Sequence, residues 1–281
     1  MKKIVCLAVL LLALVSCSEK PVDLNVMTFN IRMDNKGDSL NSWPYRKDVA
    51  AEVVKAHDVD LLGAQEVLFH QLTDLKARLP EYQSIGVGRE DGKEKGEYSA
   101  IFYKKDRFTE VKSGTFWLSE TPEVAGSKGW DGACERVATW AILQEKDSKK
   151  QIFYINTHLD HVGKVARQEG VTLLLNRAKD LGKGLPIIIT GDFNATPESD
   201  VIKHVTESGE FLDSRVIAQN VSGNTGTFHG FGRIPVERRQ RIDFIFVTKQ
   251  MSVTSLEVLP DQLNDINVSD HAPVAAHIIL N

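Results

Sequence analysis

The chain has almost no capacity for disulfides. Its 281 residues include three cysteines, Cys6, Cys17 and Cys134, and two of these lie within the first 17 positions. Processing of that start would leave Cys134 alone, so no internal bridge is expected and the fold must rest on its core. With 42% hydrophobic residues, that core can be large. Nothing next to Cys134 in sequence suggests a base that would make it a nucleophile, and it reads as a small core or loop residue. Long apolar runs are also missing. After the N-terminus no segment reaches the roughly 18 uncharged apolar residues that a membrane-spanning helix needs. There is no surplus of positive charge: the formal charge is −4. Without Lys2 and Lys3, 32 basic residues face 38 acidic ones, giving −6. That argues against holding long nucleic acid by a general field. The densest local cationic group is Arg238, Arg239 and Arg241. Linker-like, low-complexity and repeated segments are absent, so one domain is expected and a monomer is the default.

The N-terminus has the layout of a signal peptide, a basic Met1-Lys2-Lys3 followed by the apolar Ile4 to Val15. Leu14-Val15-Ser16-Cys17 resembles the lipobox of bacterial lipoproteins. The expectation is a signal peptide over residues 1–17, a short tether at 18–23 and a catalytic domain at 24–281. The chain would then be exported and held at a bacterial membrane, on its periplasmic or cell-surface face, by acyl chains on Cys17.

Strand-like apolar runs appear at Leu24–Phe29, Asp60–Gln65, Ser99–Tyr103, Phe108–Gly114, Val137–Gln144, Ile152–Thr157, Pro186–Thr190, Ile242–Val247 and Ala272–Leu280. Helical patterns appear at Arg46–His57, His70–Leu79 and Lys164–Leu181. Strands outnumber helices, and the helices interrupt them irregularly. This fits a mixed-sheet α/β protein with two packed sheets better than a doubly wound parallel sheet. Two glycine-bearing segments, 118–135 and 221–241, read as long loops, and their Trp130, Phe228 and Phe231 suit the rim of a site.

Polar residues suited to one chemistry close several of the strand runs. Asn30 ends the first and can orient a phosphate or a carboxylate; a turn residue is the simpler alternative. Glu66 follows Asp60–Gln65 as a candidate metal carboxylate. His158 ends Ile152–Thr157 as a phosphate donor or general acid. Asp160 and His161 follow it, and a zinc site is disfavoured because no further ligand is spaced to close it. In Gly191-Asp192-Phe193-Asn194, Asp192 can serve as base with Asn194 as orienter, since side chains two apart on an extended segment share a side. Ser269-Asp270-His271 offers a metal carboxylate and an imidazole. Asp243 stands in the apolar run Ile242–Val247, where burial without a partner would be costly, and His271 would supply that partner. Together these suit metal-assisted cleavage of a phosphate ester, with Mg²⁺ or Mn²⁺ on oxygen ligands.

Thr28-Phe29-Asn30, Gln65-Glu66, Thr157-His158-Leu159-Asp160, Gly191-Asp192-Phe193-Asn194, Arg241-Ile242-Asp243-Phe244 and Ser269-Asp270-His271 occur in the order seen in the endonuclease/exonuclease/phosphatase superfamily, which the chain resembles from about residue 24 to 280. The resemblance implies a four-layer α/β/β/α sandwich and a Mg²⁺- or Mn²⁺-dependent phosphohydrolase. It implies Glu66 as principal metal ligand, Asp270 as a second carboxylate and Asp192 as the activator of water. Asn194 and Asn30 would position that water and the phosphate. His271 paired with Asp243, together with His158, would be the phosphate-side donors, and Tyr98 and Arg136 further contacts to a phosphate-ester substrate. Trp43, Arg46, the segment 117–122, Trp130 and Thr227-Phe228-His229-Gly230 resemble a bacterial secreted subgroup. A small phosphodiester, a sugar phosphate or a lipid head group suits the charge and the anchor better than duplex DNA. A sphingomyelinase-like lipid hydrolase, a secreted nuclease and a non-catalytic ligand-binding lipoprotein are the competing readings.

Overall fold

A computed structural model describes residues 20–281; the signal-peptide and lipobox segment lies outside the described residues. Strand β1 (Val22–Asn30) is followed by helix α1 (Trp43–Ala56), β2 (Leu61–Val67), α2 (Phe69–Arg78), β3 (Tyr82–Ile85), β4 (Tyr98–Lys104), β5 (Phe108–Trp117), β6 (Val137–Glu145) and β7 (Gln151–His158). Then come α3 (Lys164–Gly182), β8 (Ile187–Asp192), α4 (Asp200–Glu207), β9 (Phe211–Asp213), α5 (Ser214–Ile217), β10 (Asn220–Gly223), β11 (Asp243–Thr248) and β12 (Met251–Val258). A small hairpin, β13 (Gln262–Leu263) with β14 (Ile266–Asn267), precedes β15 (Val274–Leu280).

One sheet has the order β10-β12-β15-β1-β2-β4-β3 and the other β5-β6-β7-β8-β11-β9. Each contains a parallel pair, β1/β2 and β7/β8, bridged by α1 and α3 respectively. Alternation of side chains divides each strand between two cores. In β1, Leu24 and Val26 face the other sheet, while Met27 and Phe29 face α1 and α2. In β7 and β8, Tyr154 and Ile188 face inward, while Ile155 and Ile189 pack under α3 and α4 with Leu174, Ala178 and Val205. The result is the expected α/β/β/α sandwich. Each large side chain buried in these layers contributes roughly 1.5–3 kcal/mol.

The inward positions turn polar toward one end of the sandwich. Thr28, Gln65, Asn156 and Thr190 are all fully buried there. Gln65 Nε2 donates to Thr28 Oγ1 (3.0 Å) and to Asn156 Oδ1 (2.6 Å), and Asn156 Nδ2 donates to the carbonyls of Ala64 (3.0 Å) and Ala100 (2.9 Å). This belt ties the two sheets together directly beneath the strand ends that carry the chemistry. It satisfies most of its polar atoms by crossing between sheets, while Gln65 Oε1 is left without a hydrogen-bond partner.

Six strands had no sequence signal strong enough to place them. Strand β12 alternates buried and open residues, β3, β9 and β10 are only three or four residues long, and β13 and β14 are two. Helix α4 has eight residues, Asp200–Glu207, and is capped by the Ser199 hydroxyl accepting from Ile202 N–H.

Arg46 anchors the loops above the sheets. Its fully buried guanidinium donates to the carbonyls of Ile31 (2.8 Å), Val268 (3.0 Å) and Arg32 (3.2 Å) and lies 5.7 and 5.5 Å from the ring centres of Trp43 and Phe231. Arg46→Met is expected to cost about 3–5 kcal/mol in urea unfolding, because those carbonyls lose their donors in a dry site.

Candidate active site

The polar belt leads up to a cleft of about 530 Å³ at one end of the sandwich. Asn30, His158 and Asp192 occupy the C-terminal ends of β1, β7 and β8, facing the opposite sheet, with His158 and Asp192 side by side in register. Asp243 opens β11 opposite Asp192, and His271 forms a bridge with Phe228 just ahead of β15. Ladder pairing therefore fixes four of these residues, while the adjoining loops stay free to shape the opening.

Glu66 reaches the cleft by a different route. Simple alternation along β2 would place it on the outer face with Leu62 and Ala64. A register shift between Ala64 and Val67, with Glu66 at φ 59°, breaks that alternation. Its carboxylate accepts Asn30 Nδ2 (3.0 Å) and Met33 N–H (3.1 Å).

Asn30 is the hub. Its amide donates to Glu66 Oε1 and to Asp192 Oδ2, each at 3.0 Å, and its own oxygen accepts Arg32 N–H at 3.0 Å. Asp192 Oδ1 accepts Asn194 N–H at 2.9 Å. Asn194 does not continue an extended segment, as expected from its spacing; it sits at φ 45°, and the turn closes back on Asp192. From there its amide donates to the Leu159 carbonyl (3.0 Å) and to His158 Nε2 (3.0 Å). His158 Nε2 is thus an acceptor, and the ring proton lies on Nδ1, which faces Glu97 Oε2 at 3.9 Å.

Asp243 and His271 form the expected pair, with Nδ1 and Oδ2 2.9 Å apart. Thr227, fully buried, donates to the same Asp243 oxygen at 2.5 Å. His271 Nε2 points across the cleft, 3.8 Å from Asp192 Oδ2. Burial opposes charge on this imidazole, but Asp243, Asp192 and Asp270 overcome it and raise His271 well above its usual value. His158 is pushed the other way, by burial and then by the charges of Arg136 and Arg89. Burial and the nearby Asp243 lift Asp192 to about 7. The centre therefore holds one imidazolium, one neutral imidazole and one carboxylate poised near neutrality.

Glu66 and Asp270 fit a hard divalent cation. Against the cost of burial, the Asn30 hydrogen bond and the His271 charge hold Glu66 below its ordinary value. Asp270 is raised, by burial first and also by the Glu66 charge. Glu66 is half-buried and Asp270 buried, and two such carboxylates that repel one another suit Mg²⁺ or Mn²⁺ on oxygen, with Asp192 and His158 also bringing ligand atoms within 4.8 Å of Glu66. Of the His158–Asp160–His161 run, Asp160 and His161 lie with Cys134 so that their ligand atoms are within 4.8 Å of one another, but Asp160 is already engaged by the backbone. Asp160 accepts the backbone N–H groups of Ala133 (3.0 Å), Val162 (2.9 Å) and Gly163 (2.6 Å). Burial opposes its ionisation, but these N–H groups bring it to about 2, so it staples two loops together.

Arg136 lines the cleft, buried, with Nη2 2.9 Å from His161 Nδ1 and Nε and Nη1 without hydrogen-bond partners. Tyr98 is not brought to the cleft: its hydroxyl donates to the Lys93 carbonyl at 2.7 Å. The arginine cluster is dispersed, since Arg239 pairs with Asp261 (2.8 Å) and Arg241 with Asp213 (2.7 Å). Of the rim aromatics, Phe228 lines the cleft. Arg32, Arg89, Glu97 and Thr227 join the site without having been singled out for it. The Thr227–Gly230 run was the one usable signal, because a hydroxyl beside an aromatic in a glycine-rich loop marks a built turn.

A two-sheet sandwich with this acid–histidine centre at one end defines a class of phosphate-ester hydrolases. The chain belongs to the Endonuclease/Exonuclease/phosphatase family, which it matches over residues 27–271. It is similar to a solved endonuclease/exonuclease/phosphatase protein from Bacteroides vulgatus, with 45% identity, 92% of this chain and 100% of that chain covered, and a TM-score of 0.90. It is also similar to a mannosyl-6-phosphatase from Bacteroides thetaiotaomicron, with 40% identity, 91% and 99% covered, and a TM-score of 0.87. Mouse Nocturnin is 26% identical over 88% of this chain, which spans 61% of that protein's length.

Proposed function

We propose that this chain is a Mg²⁺- or Mn²⁺-dependent phosphoesterase that hydrolyses a phosphate monoester on a small, hydroxyl-rich leaving group, such as a hexose 6-phosphate. The observation that carries the reading is the convergence of Glu66, Asp192, Asp270, His158 and the Asp243–His271 pair around the Asn30 amide. The monoester preference is supported by Arg136 Nε and Nη1 and Arg89 Nε, buried donors that make no hydrogen bond although the two guanidiniums are ion-paired with Asp160 (3.6 Å) and Glu97 (2.7 Å). A terminal phosphate dianion gives such donors more charge to bind than a diester does. The likeness to the mannosyl-6-phosphatase points the same way. Export and anchoring through Cys17 belong to the same proposal and rest on the sequence of residues 1–17 alone.

Asp192 orients a water and accepts its proton, with Asn194 and Asn30 fixing the carboxylate on either side. His271, protonated and held by Asp243 and Thr227, directs its Nε2–H at a phosphoryl oxygen. Neutral His158, oriented by Asn194, packs beside Asp192 on the same wall. Glu66 and Asp270 would hold the cation, which when bound neutralises phosphoryl charge as a Lewis acid.

Turnover of mannose 6-phosphate and of bis-p-nitrophenyl phosphate, each with Mg²⁺, Mn²⁺ or chelator, tests this. The monoester is expected to exceed the diester by about 100-fold in kcat/KM, close to 3 kcal/mol of differential binding, with chelator abolishing both rates. Preference for the diester or for sphingomyelin would move the assignment to a nuclease or lipid hydrolase. Saturable binding without turnover would indicate a ligand-binding lipoprotein.

A further inference from the structure

We propose that the enzyme stands on its membrane with the cleft at the far end, so that it takes phosphate esters from solution and leaves the head groups of its own bilayer untouched. This rests on the anchoring through Cys17 proposed above. The fold supplies the position of the attachment point relative to the site.

The direction of β1 sets that position. The strand enters its sheet at Val22, paired with Leu280 at the last position of β15, and reaches the centre of the site at Asn30. Eight residue steps at about 3.3 Å each put these two ends about 26 Å apart. The end around Val22 also carries the β4–β5 turn and the β6–β7 turn, tied together by the Lys146 N–H on the Arg107 carbonyl at 2.9 Å. None of the cleft-lining residues belongs to these turns.

Arg107 pins the point at which the chain leaves the domain. Its Nη2 donates to the Asp23 carbonyl and its Nη1 to Asp60 Oδ2. Asp60 is buried; its Oδ2 also accepts Asn25 N–H at 2.8 Å, and Lys104 Nζ lies 3.1 Å from its Oδ1. Peeling β1 away from this end would strip charge-assisted hydrogen bonds from a buried carboxylate. The tether is therefore only the stretch ahead of Val22. From Cys17 to Val22 there are five residue steps, which span at most about 18 Å. Facing the cleft to the bilayer would require the domain to invert, with the tether running the whole length of β1, about 26 Å, and beyond. The tether is too short for that. A tilted domain still opens its cleft sideways into solution, and lipid phosphates stay within a head-group layer about 5–8 Å deep.

The test is the distance from cleft to bilayer in the full-length, acylated chain on phosphatidylcholine vesicles, read by energy transfer to acceptor lipids. It needs no substrate and is independent of which ester is cleaved. Cys134 lines the cleft and is the thiol left once Cys17 is acylated and the residues before it are removed. A donor dye on Cys134 should report more than about 25 Å to the head groups. A dye on Lys20→Cys in a Cys134→Ser background should report about 15 Å or less. A second arm inserts about 40 Gly/Ser residues after Ser18, enough to let the domain turn over. Mannose 6-phosphate displayed on a lipid of the same vesicle should be cleaved at least about tenfold faster by the lengthened chain, with free mannose 6-phosphate cleaved equally by both. Equal distances for the two dyes, or a wild type as fast as the lengthened chain on the displayed ester, would overturn the proposal. A chain recovered with Cys17 unacylated, read by mass spectrometry, overturns it together with the anchoring. An acylated chain whose Cys134 dye sits at the head groups overturns the orientation alone.

Discussion

Asp192→Ala is expected to lower kcat by about 10³–10⁴-fold, and His271→Ala by about 10³-fold, with both proteins still folded by circular dichroism. The two residues do different jobs in one reacting unit. Asp192 is a buried acid raised to about 7, with its oxygens oriented by the Asn30 amide and the Asn194 N–H. Removing it takes away the proton acceptor but relieves the burial of a carboxylate, so stability should fall little. His271 supplies a fixed positive donor, and its loss would leave Asp243 with Thr227 as its remaining hydrogen-bond donor. The double variant should be scarcely slower than Asp192→Ala alone, because groups acting on one transition state are not additive. Strict additivity of the two losses in single-turnover rates would show that they act in separate steps. Thr227→Val provides a graded check. It removes the donor to Asp243 together with the acceptor of the buried Ile242 (3.1 Å) and Asp243 (3.3 Å) N–H groups, so it should lower stability as well and cost about tenfold in kcat with KM unchanged, a loss that a purely structural role would not confine to kcat.

Much of this centre was legible in the sequence because its residues end strands. Asn30, His158 and Asp192 close apolar runs whose pairing fixes where the last side chain points, so residue type and position are both visible in one dimension. Asp243 could be paired with His271 in advance because an acid in an apolar strand needs a partner. Glu66 lines the cleft, but its aim depends on a bulge that alternation cannot show. Glu97 and Arg89 were hidden because a loop brings them to His158 and Arg136, and loop paths follow from tertiary contacts. Tyr98 failed for the same reason. Its ring is buried in β4, but the 86–97 loop folds over it and Lys93 takes the hydroxyl. The two-sheet architecture was readable from long, uniformly apolar strands. Strand β12 escaped because its open face alternates with polar residues near the sheet edge.

Gly63→Ala is expected to destabilise the protein by more than about 3 kcal/mol. Gly63 lies in β2 on the face that meets the second sheet, at the level of the polar belt. A methyl there would overlap Thr190 Oγ1 and sit 2.6 Å from Asn156 Oδ1. Neither atom can retreat freely. Asn156 Oδ1 accepts from Gln65 Nε2 at 2.6 Å and from Thr190 Oγ1 at 3.2 Å, and its amide holds the Ala64 and Ala100 carbonyls. Making room would mean separating the sheets or breaking buried hydrogen bonds, and each broken bond costs about 1–3 kcal/mol. The damage should also reach the chemistry, because Thr190 and Asn156 stand two residues before Asp192 and His158 on their strands. Chemical denaturation of Gly63→Ala beside Gly63→Ala/Thr190→Ala would isolate the clash. Removing the threonine hydroxyl and methyl should recover part of the lost stability, and partial recovery of kcat alongside it would show that the belt sets the spacing of the catalytic strand ends. A Gly63→Ala protein as stable and as active as the wild type would mean that the sheets adjust their separation freely, and that the belt does not position the site.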